Sequence, residues 1–252
     1  IIRYGIELSL LLGCKINMFS RFDRKNYFYP DCPKNYQITQ QDYPIGYDGH
    51  FLYFSDKKQY SIKINRIHLE EDSAKLNHID DSLKKGSFID YNRSGVPLAE
   101  IVTEPEFEDF ESVCAYLEFL KRTAKYLDIS DCNMEEGSLR VDVNISLTKI
   151  LGKLPDYKIE IKNLNSFSAV KNSLEYEFKR QSELLNKDKK LKDETRMWDE
   201  RKRETVLMRE KETLSDYRYF PEPDIPPVLL DEKTIHDIKD KLGISPYYAI
   251  NH

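Results

Sequence analysis

Carboxylates set inside apolar, strand-like stretches are the groups in this sequence best placed to do chemistry. One such stretch is Arg66-Ile-His-Leu-Glu-Glu-Asp72. A second is Pro97-Leu-Ala-Glu-Ile-Val-Thr-Glu-Pro105, and a third Asn133-Met-Glu-Glu-Gly-Ser-Leu-Arg-Val-Asp142. A carboxylate in an apolar setting is costly unless a cation meets it. Several converging on one place suggest a hard divalent cation, such as Mg²⁺ holding the phosphates of a nucleotide.

Each group also has a plainer reading. Glu70, Glu71 and Asp72 fit either a ligand cluster or a solvated strand end. His68 is a ligand or a core histidine, and a lone histidine is more often the latter. Glu100 is flanked by Leu98, Ala99, Ile101 and Val102, so its side chain is expected to point away from them into a polar cavity; it is the best candidate for a functional acid. Glu104, just before Pro105, fits a strand end. Glu136 precedes the Gly137-Ser138 turn. Arg140 and Asp142 share one face if a strand runs through them. That face holds either a cross-strand ion pair or a phosphate-binding arginine beside a metal-binding acid.

Arg24, Lys25 and Lys34 are interleaved with Tyr27, Phe28, Tyr29 and Tyr36. This suits an unpaired nucleotide stacked on a ring and anchored through its phosphate; it also suits a surface loop pinned by buried tyrosines. Lys162-Asn163-Leu-Asn-Ser166 reads as a strand-to-helix junction, able to attract a phosphate or simply to cap the helix. Neither glycine-rich phosphate loop (G-x-G-x-x-G or G-x-x-x-x-G-K-[ST]) nor a G-x-S-x-G elbow occurs. Any nucleotide would be held through metal and side chains.

The elements that must position these groups follow from periodicity. A helix opens the chain and stops at Gly13. Residues 22–45 read as an ordered irregular stretch. Strands follow over 51–54 and 60–69. The second alternates through Ile62 and Ile64, then shifts phase to Ile67 and Leu69, which predicts a bulge. An apolar run over 88–103 is broken by Gly95 and Pro97. A helix spans 109–127, with apolar residues at helical spacing. Strict alternation over 139–147 predicts a half-buried strand, in a hairpin with a strand through Tyr157, Ile159 and Ile161. Asn165 or Ser166 caps a helix to Leu185, with Phe167, Val170, Leu174 and Phe178 on one face. A solvated lysine-rich loop covers 186–194. Short strands at 196–198 and 205–208 and a helix at 232–242 ending at Gly243 complete the chain. Helices and strands mix without regular alternation, so the class is α+β, a mixed and largely antiparallel sheet with packed helices.

Composition narrows the function. A net charge of −5 excludes a uniformly basic nucleic-acid coat, though not a local basic patch. No apolar run approaches the ~20 residues that cross a bilayer, so no membrane partner is expected. Cys14, Cys32, Cys114 and Cys132 contain no Cys-x-x-Cys pair and read as free thiols of a reducing compartment. The chain starts at Ile1, inside a helical pattern, and its first methionine is Met18. It is therefore expected to be a fragment with something missing before residue 1.

Six segments carry a family resemblance. They are Phe22-Asp-Arg-Lys-Asn-Tyr-Phe-Tyr-Pro-Asp31, Arg66 to Asp72, and Asp90-Tyr-Asn-Arg-Ser-Gly-Val-Pro-Leu-Ala-Glu-Ile101. The others are Asn133 to Arg140, Glu160-Ile-Lys-Asn-Leu-Asn-Ser-Phe167, and Asp216-Tyr-Arg-Tyr-Phe-Pro-Glu-Pro-Asp224. In these the chain resembles the B subunits of tRNA-dependent amidotransferases. The resemblance implies a catalytic cradle of the glutamine synthetase/guanidino kinase kind over 1–230, lacking its first strands. Residues 231–252 would begin a linker toward absent helical and tail domains.

It also implies an activity, a C–N-forming ligase with glutamine as amido donor. ATP and Mg²⁺ phosphorylate the side-chain carboxylate of Glu-tRNA(Gln) or Asp-tRNA(Asn). Ammonia from an amidase A subunit then displaces the phosphate, in a heterotrimer completed by a small C subunit. By motif, Glu71 and Glu100 would be metal ligands, joined by Glu136 and Asp142. Arg93 and Arg140 would be catalytic phosphate contacts and Asn163 a nucleotide contact. Lys25, Tyr27 and Tyr29 would face the tRNA 3′ end. The compartment would be a bacterial cytoplasm or an organelle matrix. The alternatives are an inactive tRNA-binding scaffold, a metal-dependent phosphohydrolase, and the archaeal E-subunit paralogue, whose inserted domain is not evident.

Overall fold

The sequence Lys58–Glu71 alternates apolar and polar residues around Ile62, Ile64 and Ile67, and it forms one 14-residue strand. Its bulge decides which side chains face the core and which face the site. The computed structural model describes residues 1–55, 58–81, 84–150, 152–210 and 217–243. The chain divides into two compact units. The first comprises 1–53, 59–106 and the chain from 216 onward; the second comprises 54–58 and 107–215. Asp216, which begins the last family-like segment, and the end of the expected linker lie outside the described residues. Among the described residues no helix is long and apolar enough to cross a membrane.

The first unit opens with α1 (Ile2–Leu11), which ends where Gly13 takes φ +69°. Then come β1 (Lys15–Ile16), β2 (Phe19–Ser20), β3 (Asp23–Asn26), β4 (Tyr36–Thr39), β5 (Gly46–Ser55) and β6 (Lys58–Glu71). They continue through β7 (Lys75–Asp81), β8 (Lys84–Asp90) and β9 (Pro97–Thr103). The main sheet has the order β1-β5-β6-β9. Ile6, Leu8 and Leu12 of the first helical segment are buried, as are Ile45, Phe51, Ile62, Ile64, Ile67 and Leu69. Close approach depends on small residues. A Cβ at Gly46 would lie 2.3 Å from Ser9 Oγ, and one at Gly5 would lie 3.1 Å from the Leu69 side chain.

The expected phase shift is present. The β6–β9 register slips between Ile64, opposite Thr103, and Arg66, opposite Val102. Two residues of β6 advance there for one of β9, so Asn65 is the extra residue. A slip of one exchanges the faces of a strand. Ile67 and Leu69 thereby continue the apolar set begun by Ile62 and Ile64, and Arg66, His68 and Glu70 turn to the other face.

The second unit contains α2 (Phe110–Tyr126), β10 (Val141–Ile145), β11 (Ile159–Leu164), α3 (Phe167–Asn186), β12 (Glu194–Asp199) and β13 (Glu204–Glu210). Asp109 caps α2 by accepting from Ser112 N, and Ser166 caps α3 by accepting from Ala169 N. The sheet order is β10-β11-β12-β13. β10 and β11 form the expected antiparallel pair, whereas β11 and β12 are parallel. α3 is the long connection that a parallel pair requires. Tyr157, Ile159 and Leu191 form a buried cluster with Ile145, Leu184 and Leu185 against it.

The chain then returns to the first unit as β14 (Phe220–Pro221), β15 (Val228–Leu229) and α4 (Glu232–Lys241). β14 pairs with β3 and β15 with β2, and α4 packs on α1. The stretch 22–45, expected to be irregular, thus holds β3 and β4, two strands of the sheet β14-β3-β4. β3 and β4 pair with each other but carry few apolar residues, and the other partner of β3 comes from almost 200 positions away, so no local alternation announces them.

Candidate functional site

His68 stands directly opposite Glu100 in the β6–β9 ladder, and Glu70 shares its face two residues on. His68 Nε2 lies 3.4 Å from Glu70 Oε2 and 3.4 Å from Glu100 Oε2. One donor atom from each of these three residues lies within 4.8 Å of the other two, a grouping that one cation could share. No other group of three or more such ligands occurs among the described residues.

The three differ in exposure. His68 is 4% exposed, Glu70 is partly buried, and the Glu100 side chain is 52% exposed. One wall of the site is therefore dry and the other open. Burial opposes a charge on His68, but the hydrogen bonds to Glu100 and Glu70 outweigh it and raise the imidazole above its ordinary value. His68 in turn holds the Glu100 carboxyl below its usual range, against the effect of burial, and the charges of Lys25 and Arg66 add to this.

β3 and β4 supply the surroundings. Thr39 Oγ1 donates to Glu70 Oε2 at 3.4 Å. Lys25, on β3, lies with its ammonium 4.6 Å from the centre of the Tyr217 ring. Tyr219 precedes β14; burial raises its phenol, and the field of Arg66 opposes that rise. Gln40, buried just after β4, ties the site to the core. Its Oε1 accepts from Leu69 N at 3.0 Å and Ile45 N at 3.2 Å, while its Nε2 donates to Ser20 Oγ at 2.7 Å.

Of the expected metal ligands, Glu100 is in this grouping. Glu71 is the neighbour of Glu70 in sequence and faces the other way. The Glu71 carboxylate accepts from Lys34 Nζ, and its Oε1 also accepts from Ile38 N at 2.9 Å. Glu136 and Asp142 are exposed and belong to the second unit. There Lys162 Nζ, on the neighbouring strand β11, reaches Asp142 Oδ2 at 3.3 Å. Burial works against the Lys162 charge, but Asp142 and Glu160 outweigh it and raise the ammonium's value.

Arg93 bridges to the buried Asp72 at 3.1 Å, in a turn where Gly95 takes φ +81°. Arg140 is exposed just before β10. Asn163 adopts φ +63° and donates through Nδ2 to Trp198 O at 3.0 Å, fastening β11 to β12. Tyr27 is half-buried, and burial together with a hydrogen bond to Cys32 raises its phenol. Phe28 and Tyr29 are exposed, at 85% and 55%.

His68 and Glu70 each carry a ligand reading in the sequence, but the family resemblance places neither in the expected metal set. The signal was present in the bulge. Once Ile67 and Leu69 are taken as core, His68 and Glu70 must share the opposite face. Their pairing with Glu100 depends on β9 register, which no local pattern encodes.

Residues 1–236 match the family described as the GatB/GatE catalytic domain. The chain is 48% identical over 250 residues to the B subunit of an aspartyl/glutamyl-tRNA(Asn/Gln) amidotransferase from Thermosipho melanesiensis, covering 98% of this chain and 52% of that protein. It is 45% identical over 248 residues to the corresponding protein from Clostridium novyi, covering 98% and 51%. With the one from Carboxydothermus hydrogenoformans the identity is 47% over 247 residues, again covering 98% and 51%. The chain thus spans about half the length of the curated relatives it matches.

Proposed function

The chain belongs to the GatB/GatE catalytic domain family, and on that premise we propose that it carries the phosphorylating site of a tRNA-dependent amidotransferase. Its substrate would be Glu-tRNA(Gln) or Asp-tRNA(Asn). The side-chain carboxylate is phosphorylated by ATP with Mg²⁺, and ammonia displaces the phosphate to leave the amide. The ammonia comes from an amidase partner within a complex that also holds a small third component. The fold suited to this is a cradle of the glutamine synthetase kind.

The observation that carries this reading is the grouping of His68, Glu70 and Glu100 beside Arg66 and Lys25. Two carboxylates match the habit of Mg²⁺, which takes one or two of them and fills its remaining positions with water and phosphate oxygens. The imidazole nitrogen extends the fit to Mn²⁺. A divalent cation held there would neutralise charge on the phosphates in transfer. Glu71 adds to the ligand set only if its Lys34 contact is released.

Other residues position the substrates. Lys25, with the exposed Tyr29 and half-buried Tyr27, offers a cation and aromatic surfaces to the tRNA 3′ end. Arg93 and Arg140 are proposed phosphate contacts and Asn163 a nucleotide contact, and Glu136 and Asp142 are proposed further metal ligands. Phosphoryl transfer to a carboxylate needs little beyond such positioning and charge neutralisation.

The test is made in the complete protein with its partner subunits, ATP, glutamine and Glu-tRNA(Gln) or Asp-tRNA(Asn). Glu100→Gln should lower both tRNA-dependent ADP release and amide formation by about 100-fold or more, the scale of a lost electrostatic contact in a transition state. Glu70→Gln should cost more than Glu71→Gln. Normal amide formation by the Glu100 variant would remove this reading.

A further inference from the structure

The partly buried arginines of this protein are paired. Arg21 faces Asp23, Arg24 faces Glu222, Arg93 faces Asp72, and Arg180 and Arg196 face Glu177. Arg66 is the departure. It is half-buried, yet among the described residues no carboxylate lies within 4.0 Å of it. Among the described residues its side chain makes one hydrogen bond, a long one from Nη1 to Gln41 O at 3.5 Å. Its Nε is buried and meets no acceptor among those residues.

A guanidinium donor without an acceptor is unfavourable in the interior. A ligand that supplies the missing acceptor is one reason for such a group to persist in a native structure. The bulge in β6 places Arg66 on the face that carries His68 and Glu70, two pairs along the ladder from the His68–Glu100 pair. The charge of Arg66 helps hold the Glu100 carboxyl down, but that field leaves its buried Nε without an acceptor among the described residues. The edge of a guanidinium formed by Nε and an Nη matches two oxygens of a carboxylate or phosphate.

We propose that Arg66 is an oxyanion-binding residue of this site, held ready to grip a phosphate of the nucleotide or the carboxylate that receives the phosphoryl group. The proposal rests on the function proposed above. It adds a residue outside the expected ligand set, and it gives the orphaned Nε a partner.

The experiment uses the complete protein with its partner subunits and compares Arg66→Gln and Arg66→Lys. Mg–ATP binding is measured by titration calorimetry. KM is measured separately for ATP and for the aminoacyl-tRNA, and melting temperature reports the fold. Arg66→Gln should keep a melting temperature close to the parent's and weaken one ligand by about tenfold or more, as expected for a lost charge-assisted bond. A loss confined to ATP identifies the nucleotide phosphate. A loss confined to the aminoacyl-tRNA identifies the acceptor carboxylate.

Arg66→Lys should recover only part of the loss, because an ammonium cannot make the two-pronged contact. Unchanged affinity and KM in Arg66→Gln overturn the proposal. If that variant fails to fold, unchanged values in Arg66→Lys overturn it instead. Glu100→Gln run in parallel separates the two readings. An inactive Glu100 variant beside unaffected Arg66 variants removes the Arg66 proposal alone, and an active Glu100 variant removes the proposed function.

Discussion

An imidazole buried at 4% exposure between two carboxylates must either carry a proton or share a cation with them. On their own the carboxylates favour the proton on His68. With a cation in place, the same nitrogen would serve as a ligand. Mn²⁺ accepts imidazole more readily than Mg²⁺, which prefers oxygen. His68→Asn should therefore weaken Mn²⁺ binding by about tenfold or more, with a smaller effect on Mg²⁺. Paramagnetic titration with Mn²⁺, followed by competition with Mg²⁺, reads both; equal losses for the two ions would take His68 out of the ligand set. The acids of this site were legible as types. Glu100 stood out because Leu98, Ala99, Ile101 and Val102 surround it in sequence. Glu70 and Glu71 could not be separated that way, since adjacent residues of one strand share every compositional signal and differ only in face.

Elements were legible where their own sequence repeats. The bulge in β6 follows from the shift between Ile64 and Ile67, and the cap of α3 falls on Ser166, one of the two residues expected there. α3 shows where such reading stops. Its apolar spacing suggests a buried face through Val170, Leu174 and Phe178. In the fold Phe178 is 50% exposed, whereas Glu177 and Gln181 are fully buried with Val170, Ser173 and Leu174. The buried stripe is turned because Glu177 is met by Arg180 at 2.9 Å, by Arg196 at 3.2 Å and by Thr205 Oγ1. Those partners lie partly on β12 and β13, beyond the reach of helical periodicity. Removing one member of a buried ionic network leaves the others uncompensated, at about 3–5 kcal/mol. Glu177→Ala should lower the denaturant stability of the second unit by that order. Phe178→Ala, which gives up an edge contact with Phe110 at 5.9 Å between ring centres, should cost only about 1 kcal/mol. A larger loss at Phe178 would restore the simpler amphipathic reading.

At the scale of the whole molecule, the first unit is discontinuous in sequence. Residues from 216 onward return to it after the second unit and supply β14, β15 and α4. Arg24 fastens this return through two bonds to the buried Glu222 carboxylate, Nε to Oε2 at 2.7 Å and Nη2 to Oε1 at 2.9 Å. Glu222 N donates to Phe22 O at 2.9 Å beside them. The pair spans 198 positions, so nothing local in the sequence predicts it. The Arg24 guanidinium holds the Glu222 carboxyl below its ordinary value, against the opposing effect of burial. A free glutamate titrates at about 4.3. The unfolded chain therefore takes up this proton at a higher pH than the folded one does. The contribution to stability is complete above about pH 4.3 and is lost as pH falls through the lower, folded value. Glu222→Gln should accordingly be less stable than the parent at pH 7, and the gap should narrow as pH falls below about 4. Urea midpoints for both proteins from pH 7 to pH 3 measure this. A gap that stays constant across the series would mean that the clasp does not depend on the Glu222 charge, and that backbone pairing of β14 with β3 closes the first unit alone.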